Sequence, residues 1–348
     1  MTPTAKPAVV LAPIPSGTDV AVPELRAGVL EVPGVLHLHH GGRLEGVRVA
    51  WRLAGRAGAP VVAALGGISA HRTVYSSGDA HGWWDAIVGP GRALDAGRFR
   101  VLGMDFLGGS GTTTGPRAGH TFPSISSHDQ AELILRVLNH LGSARLHAIV
   151  GASYGGMVAL AFAERFAERV ERLLVIGASD RTHAMATAWR SVQRRIVRYA
   201  LTHEEGAIGL ELARALAMAT YRSPEEFAAR FREAPEHIEG QFEFAVERYL
   251  FARGADYAAQ YQPEAFLCLS ESIDLHSVDA ARIDVPTTVV GVREDQLVPL
   301  ADLRALCARL PSRAQLVEIT SIYGHDAFLK EAGQLEPVFR NCLENVHE

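Results

Sequence analysis

From residue 47 onward, short and predominantly apolar runs alternate with longer stretches in which apolar residues recur at helical spacing. The runs are VRVAWRL (47–53), VVAALGG (61–67), FRVLGMDFLG (99–108), LHAIVGAS (146–153), RLLVIGAS (172–179), TTVVGVRE (287–294) and AQLVEIT (314–320). Continuous β-branched runs of this kind are strands buried on both faces, so the pattern predicts an α/β fold: a mostly parallel sheet with helices on both sides. Helices are expected over 127–141, closing at Gly142, and over 154–167, directly after the fourth run. Between about 184 and 275 the strand signal disappears. The sequence there is rich in Ala, Arg and Glu at helical spacing, as in EEGAIGLELARALAMATY and SPEEFAARFREA. The expected organisation is therefore a core in two segments, 1–183 and 276–348, enclosing a helical lid over 184–275. Residues 1–30, rich in Pro, Ala and Gly without periodicity, are expected as a loosely ordered leader or edge segment.

Composition narrows the classes that remain. The 348 residues are 48% hydrophobic and 21% charged, enough to build a sizeable buried core and too apolar for a disordered chain. Net charge is −5, with 34 basic residues dispersed among 39 acidic ones, so no basic face is offered to nucleic acid or to an anionic membrane. Cys268, Cys307 and Cys342 are far apart in sequence and odd in number, which fits neither a disulfide framework nor a metal or redox motif. No stretch is long and apolar enough for a signal peptide or membrane span, so the expectation is a cytoplasmic enzyme working on small molecules.

The sharpest motif is Gly151-Ala152-Ser153-Tyr154-Gly155, which lies between the run LHAIV and the helical stretch GGMVALAFAERF. A serine placed there sits on a tight strand-to-helix turn, and glycines two residues either side leave room that a Cβ would fill. The helix that follows points its N-terminal amides at the site, favouring developing negative charge. Asp295 lies just beyond TTVVGVRE, at the end of a parallel strand, where a carboxylate can orient a histidine. Glu294 is its rival and is read as a surface residue. His325, in Tyr323-Gly324-His325-Asp326, follows the last strand-like run and is the only one of fifteen histidines with strand, loop and Gly context together. His120, His140 and His203 read as exposed or capping residues, and the pair His39–His40 as part of a polar loop. The order Ser, Asp, His is that of an α/β-hydrolase fold. Its oxyanion donors are expected at Tyr154 and at Leu65 or Gly66 in the loop after the second run. No metal cluster is visible, and GGSGTTTG at 108–115 lacks the lysine of a phosphate-binding loop.

The chain also resembles the homoserine O-acyltransferases of the MetX type over nearly all of 40–335. The strings that carry the resemblance are GWWDAIVGPGRALD (82–95), FLGGSGTTTGP (106–116), GASYGGMVALAFAERF (151–166), ATYRSPEEFAARF (219–231), EDQLVP (294–299) and YGHDAFL (323–329). The resemblance implies that Ser153 takes an acyl group from acyl-CoA and passes it to L-homoserine in two half-reactions, with no permanently bound cofactor, in methionine biosynthesis. It implies that Arg214 and Tyr221 hold the substrate carboxylate and Asp326 its ammonium group, and it suggests a homodimer.

The sequence departs from the common acetyltransferase pattern at Tyr154, at Asp105 and in the loop LGGISAHR. These changes bear on the acyl donor, and Arg72, as the expected partner of a distal carboxylate, together with the look of the loop leans it towards succinyl-CoA rather than acetyl-CoA. L-Serine as acceptor, a plain esterase or thioesterase, and a catalytically silent hydrolase fold are the competing expectations.

Overall fold

The computed structural model describes residues 24–311 and 314–344. Eight strands form one sheet: β1 (Glu24–Glu31), β2 (Arg48–Gly55), β3 (Val61–Leu65), β4 (Arg100–Met104), β5 (Ala148–Ala152), β6 (Leu173–Ile176), β7 (Thr287–Val292) and β8 (Ala314–Ile319). Their spatial order is β1-β2-β4-β3-β5-β6-β7-β8. The β1–β2 and β2–β4 pairs are antiparallel and every later pair is parallel. All seven runs read from the sequence lie in strands β2 to β8, and β3, β5 and β6 are buried at every position.

β1 escaped the pattern because it is an edge strand whose residues are mostly exposed. It pairs with β2 in a register running from Glu24 opposite Gly55 to Glu31 opposite Arg48, and Leu30 packs against the core. It accounts for the last part of the expected leader, whose residues 1–23 lie outside those described.

The helices are α1 (Ser127–His140), α2 (Tyr154–Arg165), α3 (Ala184–Leu201), α4 (Gly206–Tyr221), α5 (Pro224–Arg230), α6 (Ala245–Ala258), α7 (Pro263–Asp274), α8 (Leu300–Arg309), α9 (Ala327–Lys330) and α10 (Ala332–Glu344). α1 starts at a capping box: the Ser126 amide donates to Asp129 Oδ2 at 2.7 Å, satisfying backbone groups that a helix end leaves orphaned. α2 is apolar on nearly all sides, as befits a helix packed between sheet and neighbours.

α3 to α7 all fall between β6 and β7, and an isolated bridge between Arg181 and Ser277 closes the neck of this segment. The segment is not purely helical. Glu236–Ile238 and Gln241–Glu243 pair as a small exposed hairpin around Glu239 and Gly240, both at positive φ. Strands of three residues with no buried position carry no apolar alternation, so periodicity does not reveal them.

The parallel strands end at one edge of the sheet. Their C-terminal loops therefore converge there, and the order of strands reverses between β3 and β5, the place where open α/β sheets bind ligands.

Candidate active site

Ser153 follows β5 at that reversal. Its backbone adopts φ 54° and ψ −123°, a conformation that costs a non-glycine residue roughly 1–3 kcal/mol and persists only where its surroundings enforce it. The surroundings do so on three sides. The Ser153 amide donates to Ile176 O at 2.8 Å, and the Gly155 amide to Gly66 O at 2.8 Å. A Cβ at Gly151 would lie 2.2 Å from Gly155 O, and one at Gly155 would lie 2.3 Å from Leu65 O. Both glycines are thus required by space.

His325 sits in a single 3-10 turn, Gly324–Asp326, just after β8. Gly324 takes φ 52°, and a Cβ there would come 2.6 Å from Tyr221 O, so glycine lets the loop close onto the helical segment. The imidazole lies between its two partners, with Nε2 2.8 Å from Ser153 Oγ and Nδ1 2.7 Å from Asp295 Oδ2. Asp295 is fixed in turn, because its Oδ1 accepts the amides of Leu297 at 2.8 Å and Val298 at 3.1 Å.

Burial opposes protonation of His325, but the charge and hydrogen bond of Asp295, aided by Asp326, outweigh it and the smaller opposing effect of Arg190. The imidazole is therefore more basic than usual. A serine hydroxyl, a basic imidazole and an orienting carboxylate in one line can transfer the serine proton and stabilise the resulting imidazolium.

Tyr154 is the first residue of α2, so its amide has no intrahelical acceptor and is free for an anion. Leu65 and Gly66 abut the turn from β3, as the contacts to Gly155 establish, and Gly67 lines the cavity next to Ser153. The Tyr154 side chain points the other way. Its hydroxyl, wholly buried, bonds Ser272 Oγ at 2.6 Å and ties the Ser153 turn to α7, and burial raises its pKa.

Ser153 and His325 open into a cavity roofed by α3, α4 and α7. Arg214, Tyr221 and Asp326 all line it. The Arg214 guanidinium lies over two rings, 5.3 Å from the centroid of Tyr221 and 4.8 Å from that of Tyr257, and no carboxylate of the described residues pairs with it. The Tyr221 ring stands 5.9 Å from the His325 ring. Asp326 Oδ2 accepts from Arg222 Nε at 3.0 Å, which braces the carboxylate at the cavity edge. A cation with spare donors and a carboxylate on one wall match the two charged groups of an α-amino acid.

Comparison with known proteins follows the same line. An alpha/beta hydrolase fold model matches residues 67–332. A homoserine O-succinyltransferase of Xanthomonas campestris pv. campestris is 43% identical over 337 residues, covering 96% of this chain and 88% of that one. The chain belongs to the homoserine O-acyltransferase family. A homoserine O-acetyltransferase of Thermus thermophilus is 35% identical over 279 residues, covering 74% of this chain and 70% of the relative. The crystal structure of homoserine O-acetyltransferase from Bacillus anthracis superposes with a TM-score of 0.83 at 18% identity over 93% of this chain and 98% of that one, and esterase E22 does so at 0.82 and 21% over 92% and 100%, which speaks for the shared fold.

Against this homoserine O-acyltransferase frame, several sequence expectations need correction. Arg72 does not line the cavity of Ser153: its guanidinium is bound to the buried Asp105 and lies 3.1 Å from Thr112 Oγ1. Asp105 also accepts the amides of Arg72 and Thr112, so it is the post that holds two loops together. Sequence adjacency to the Leu65–Gly67 loop placed Arg72 near the chemistry, whereas a carboxylate 33 residues away claims it.

Glu294 is more than a surface residue, because its Oε2 accepts the Ser321 amide at 2.8 Å and steadies the strand end before His325. The histidines are likewise less uniform than the sequence implied. His120, His140 and His203 are exposed, but His128 and His276 are buried, and burial lowers the pKa of His276 to about 4. The GGSGTTTG run is a connector, with Thr113 and Thr114 hydroxyls accepting the amides of Ala50 and Arg48.

Among the described residues no group of His, Cys, Asp and Glu is arranged to hold a metal, and no helix is long and apolar enough to cross a membrane. All three cysteines are free, and burial raises each thiol. Sequence reasoning also missed Trp189, Arg190 and Gln193, which reach the cavity from one face of α3. Their spacing of one, three and four marks a helix face but does not say what the face covers.

Proposed function

We propose that this enzyme transfers a succinyl group from succinyl-CoA to the hydroxyl of L-homoserine through an acyl-Ser153 intermediate, a step of methionine biosynthesis. The observation that carries the reading is His325 bridging Ser153 and Asp295 beneath a cavity that also holds Arg214 and Asp326. The relative at 43% identity, named a homoserine O-succinyltransferase, supports succinyl over acetyl as the donor.

In the first half-reaction Ser153 Oγ attacks the thioester carbonyl while His325 Nε2 takes its proton. The oxyanion is met by the Tyr154 amide and an amide of the Leu65–Gly66 segment, a contribution of roughly 3–4 kcal/mol per donor in such sites. The carbon–sulfur bond then breaks, and the CoA thiolate leaves with the proton from His325. In the second half-reaction His325 removes the homoserine hydroxyl proton, the oxygen attacks the acyl-serine carbonyl, and collapse returns the proton to Ser153. Arg214, steadied on Tyr221, grips the carboxylate of homoserine, and Asp326 takes its ammonium group. The α3–α7 segment acts as the lid that keeps water from resolving the acyl-enzyme.

The functional unit proposed is a homodimer. α3 exposes Met185, Val192 and Tyr199 at seven-residue spacing, and α4 exposes Ile208 and Leu212, an apolar surface that a second copy would cover.

The test supplies the purified protein with succinyl-CoA or acetyl-CoA and with L-homoserine, L-serine or water alone. O-Succinylhomoserine as the main product, with a higher kcat/KM than any other pair, is expected. Release of free succinate at the same rate with and without amino acid would instead make the enzyme a thioesterase.

A further inference from the structure

The failure of Arg72 to reach the cavity leaves open what recognises the far end of the acyl group, and a different arginine has the geometry for it. Arg190 and Arg194 share one counter-charge, Asp274. The Asp274 carboxylate accepts Arg190 Nε at 2.8 Å and Thr187 Oγ1 at 2.9 Å on Oδ1, and Arg194 Nη1 at 2.6 Å on Oδ2. Arg194 makes further bonds to Ser270 O, Ser270 Oγ and Ser191 Oγ, and it does not line the cavity.

Arg190 does line it, with a side chain only 12% exposed, and its Nη1 makes no hydrogen bond among the described residues. Two guanidinium groups share that one carboxylate, and Arg190 enters the cavity among the apolar side chains of Ala186, Trp189 and Ile273, with Asp302 a further carboxylate on the cavity lining. A nearly buried cation with unused donors is costly until an anion completes it. Arg190 also stands apart from Arg214. Arg214 borders both this cavity and the neighbouring outer one, whereas Arg190 borders only the inner one that contains Ser153.

We propose that Arg190 sets donor specificity by binding the distal carboxylate of a dicarboxylic acyl group carried on Ser153. Its free Nη1 donates to that carboxylate, while Asp274 keeps the guanidinium plane fixed. No bond is made or broken by Arg190, so it distinguishes donors without taking part in proton transfer. An acetyl group offers it nothing, and the inference therefore rests on the succinyl reading.

The experiment measures kcat/KM for succinyl-CoA and for acetyl-CoA, with L-homoserine, in the unmodified enzyme, R190Q and R190K. Loss of a charge-assisted hydrogen bond predicts that the succinyl-to-acetyl ratio falls about 10- to 100-fold in R190Q, with R190K restoring part of it. A ratio that stays constant in R190Q, whether both rates fall together or neither does, gives Arg190 a purely structural place between α3 and α7 and overturns the proposal. If R190Q does not fold, the unmodified enzyme is given succinyl-CoA and its neutral distal amide. A preference of tenfold or more for the carboxylate is expected, and equal rates overturn the proposal. An unmodified enzyme that prefers acetyl-CoA sinks the donor reading itself, whereas succinyl preference retained in R190Q sinks only the part given to Arg190.

Discussion

The floor of the cavity and its roof are built on opposite terms. In the floor, at the ends of β3, β5, β7 and β8, each group of the proposed triad is held by the fold around it: Ser153 by the amide bonds around its turn, Asp295 by two amides, and His325 by the Asp295 carboxylate and by the close approach of Gly324. In the roof, Arg214 rests on two aromatic faces without a carboxylate, and Arg190 shares its one carboxylate with Arg194 and Thr187. The floor is complete in itself and the roof is complete only with a ligand. In the proposed mechanism bond-making belongs to the floor and choice of substrate to the roof, and substitutions should separate the two.

The largest effect is expected in the floor. Replacing Asp295 with Asn removes the charge that raises the His325 pKa, and kcat should fall roughly 10³- to 10⁴-fold. The sign of the accompanying pH effect is fixed. His325 must be neutral to accept the serine proton, so its raised pKa places the acid limb of kcat/KM above the usual histidine value, and D295N should move that limb to lower pH. A pH–rate profile with an unmoved acid limb would detach His325 from Asp295.

Next in size is the roof. R214A should raise KM for L-homoserine about 10- to 100-fold through loss of a charge-assisted contact, while the rate of CoA release in the first half-reaction stays close to that of the unmodified enzyme. Stopped-flow detection of the CoA thiol separates the two, and an equal loss in both half-reactions would mean that Arg214 supports the fold rather than the acceptor.

The smallest effect belongs to neither region. Arg72 is a third exposed and Asp105 keeps two backbone donors without it, so R72A should cost about 1 kcal/mol or less in urea unfolding and leave the ratio of donors unchanged. A shifted donor ratio in R72A would return that arginine to the site.

What could be read from the sequence divides along the same boundary. The floor was legible because its constraints are local and steric: a serine flanked by glycines between strand and helix, a carboxylate just past β7, and a histidine beside Gly324 just past β8. Parallel topology then brings those strand ends together without further information. The roof was not legible in detail, since the partner of an arginine is chosen by packing between distant segments. Arg72 is taken by Asp105, and Arg190 meets Asp274 from 84 residues away. The exposed edge strand β1 and the hairpin at 236–243 escaped for a different reason, having too few buried positions to leave a periodic trace.

The proposed transfer depends most on Ser153 carrying the acyl group between the two substrates. Intact-mass analysis of the protein mixed with succinyl-CoA in the absence of amino acid, followed by peptide mapping, tests this directly. A single succinyl adduct on the peptide containing Ser153 is expected, discharged as O-succinylhomoserine when L-homoserine is added and never formed in S153A. No adduct on the unmodified protein during productive turnover, or an equal adduct in S153A, would contradict it.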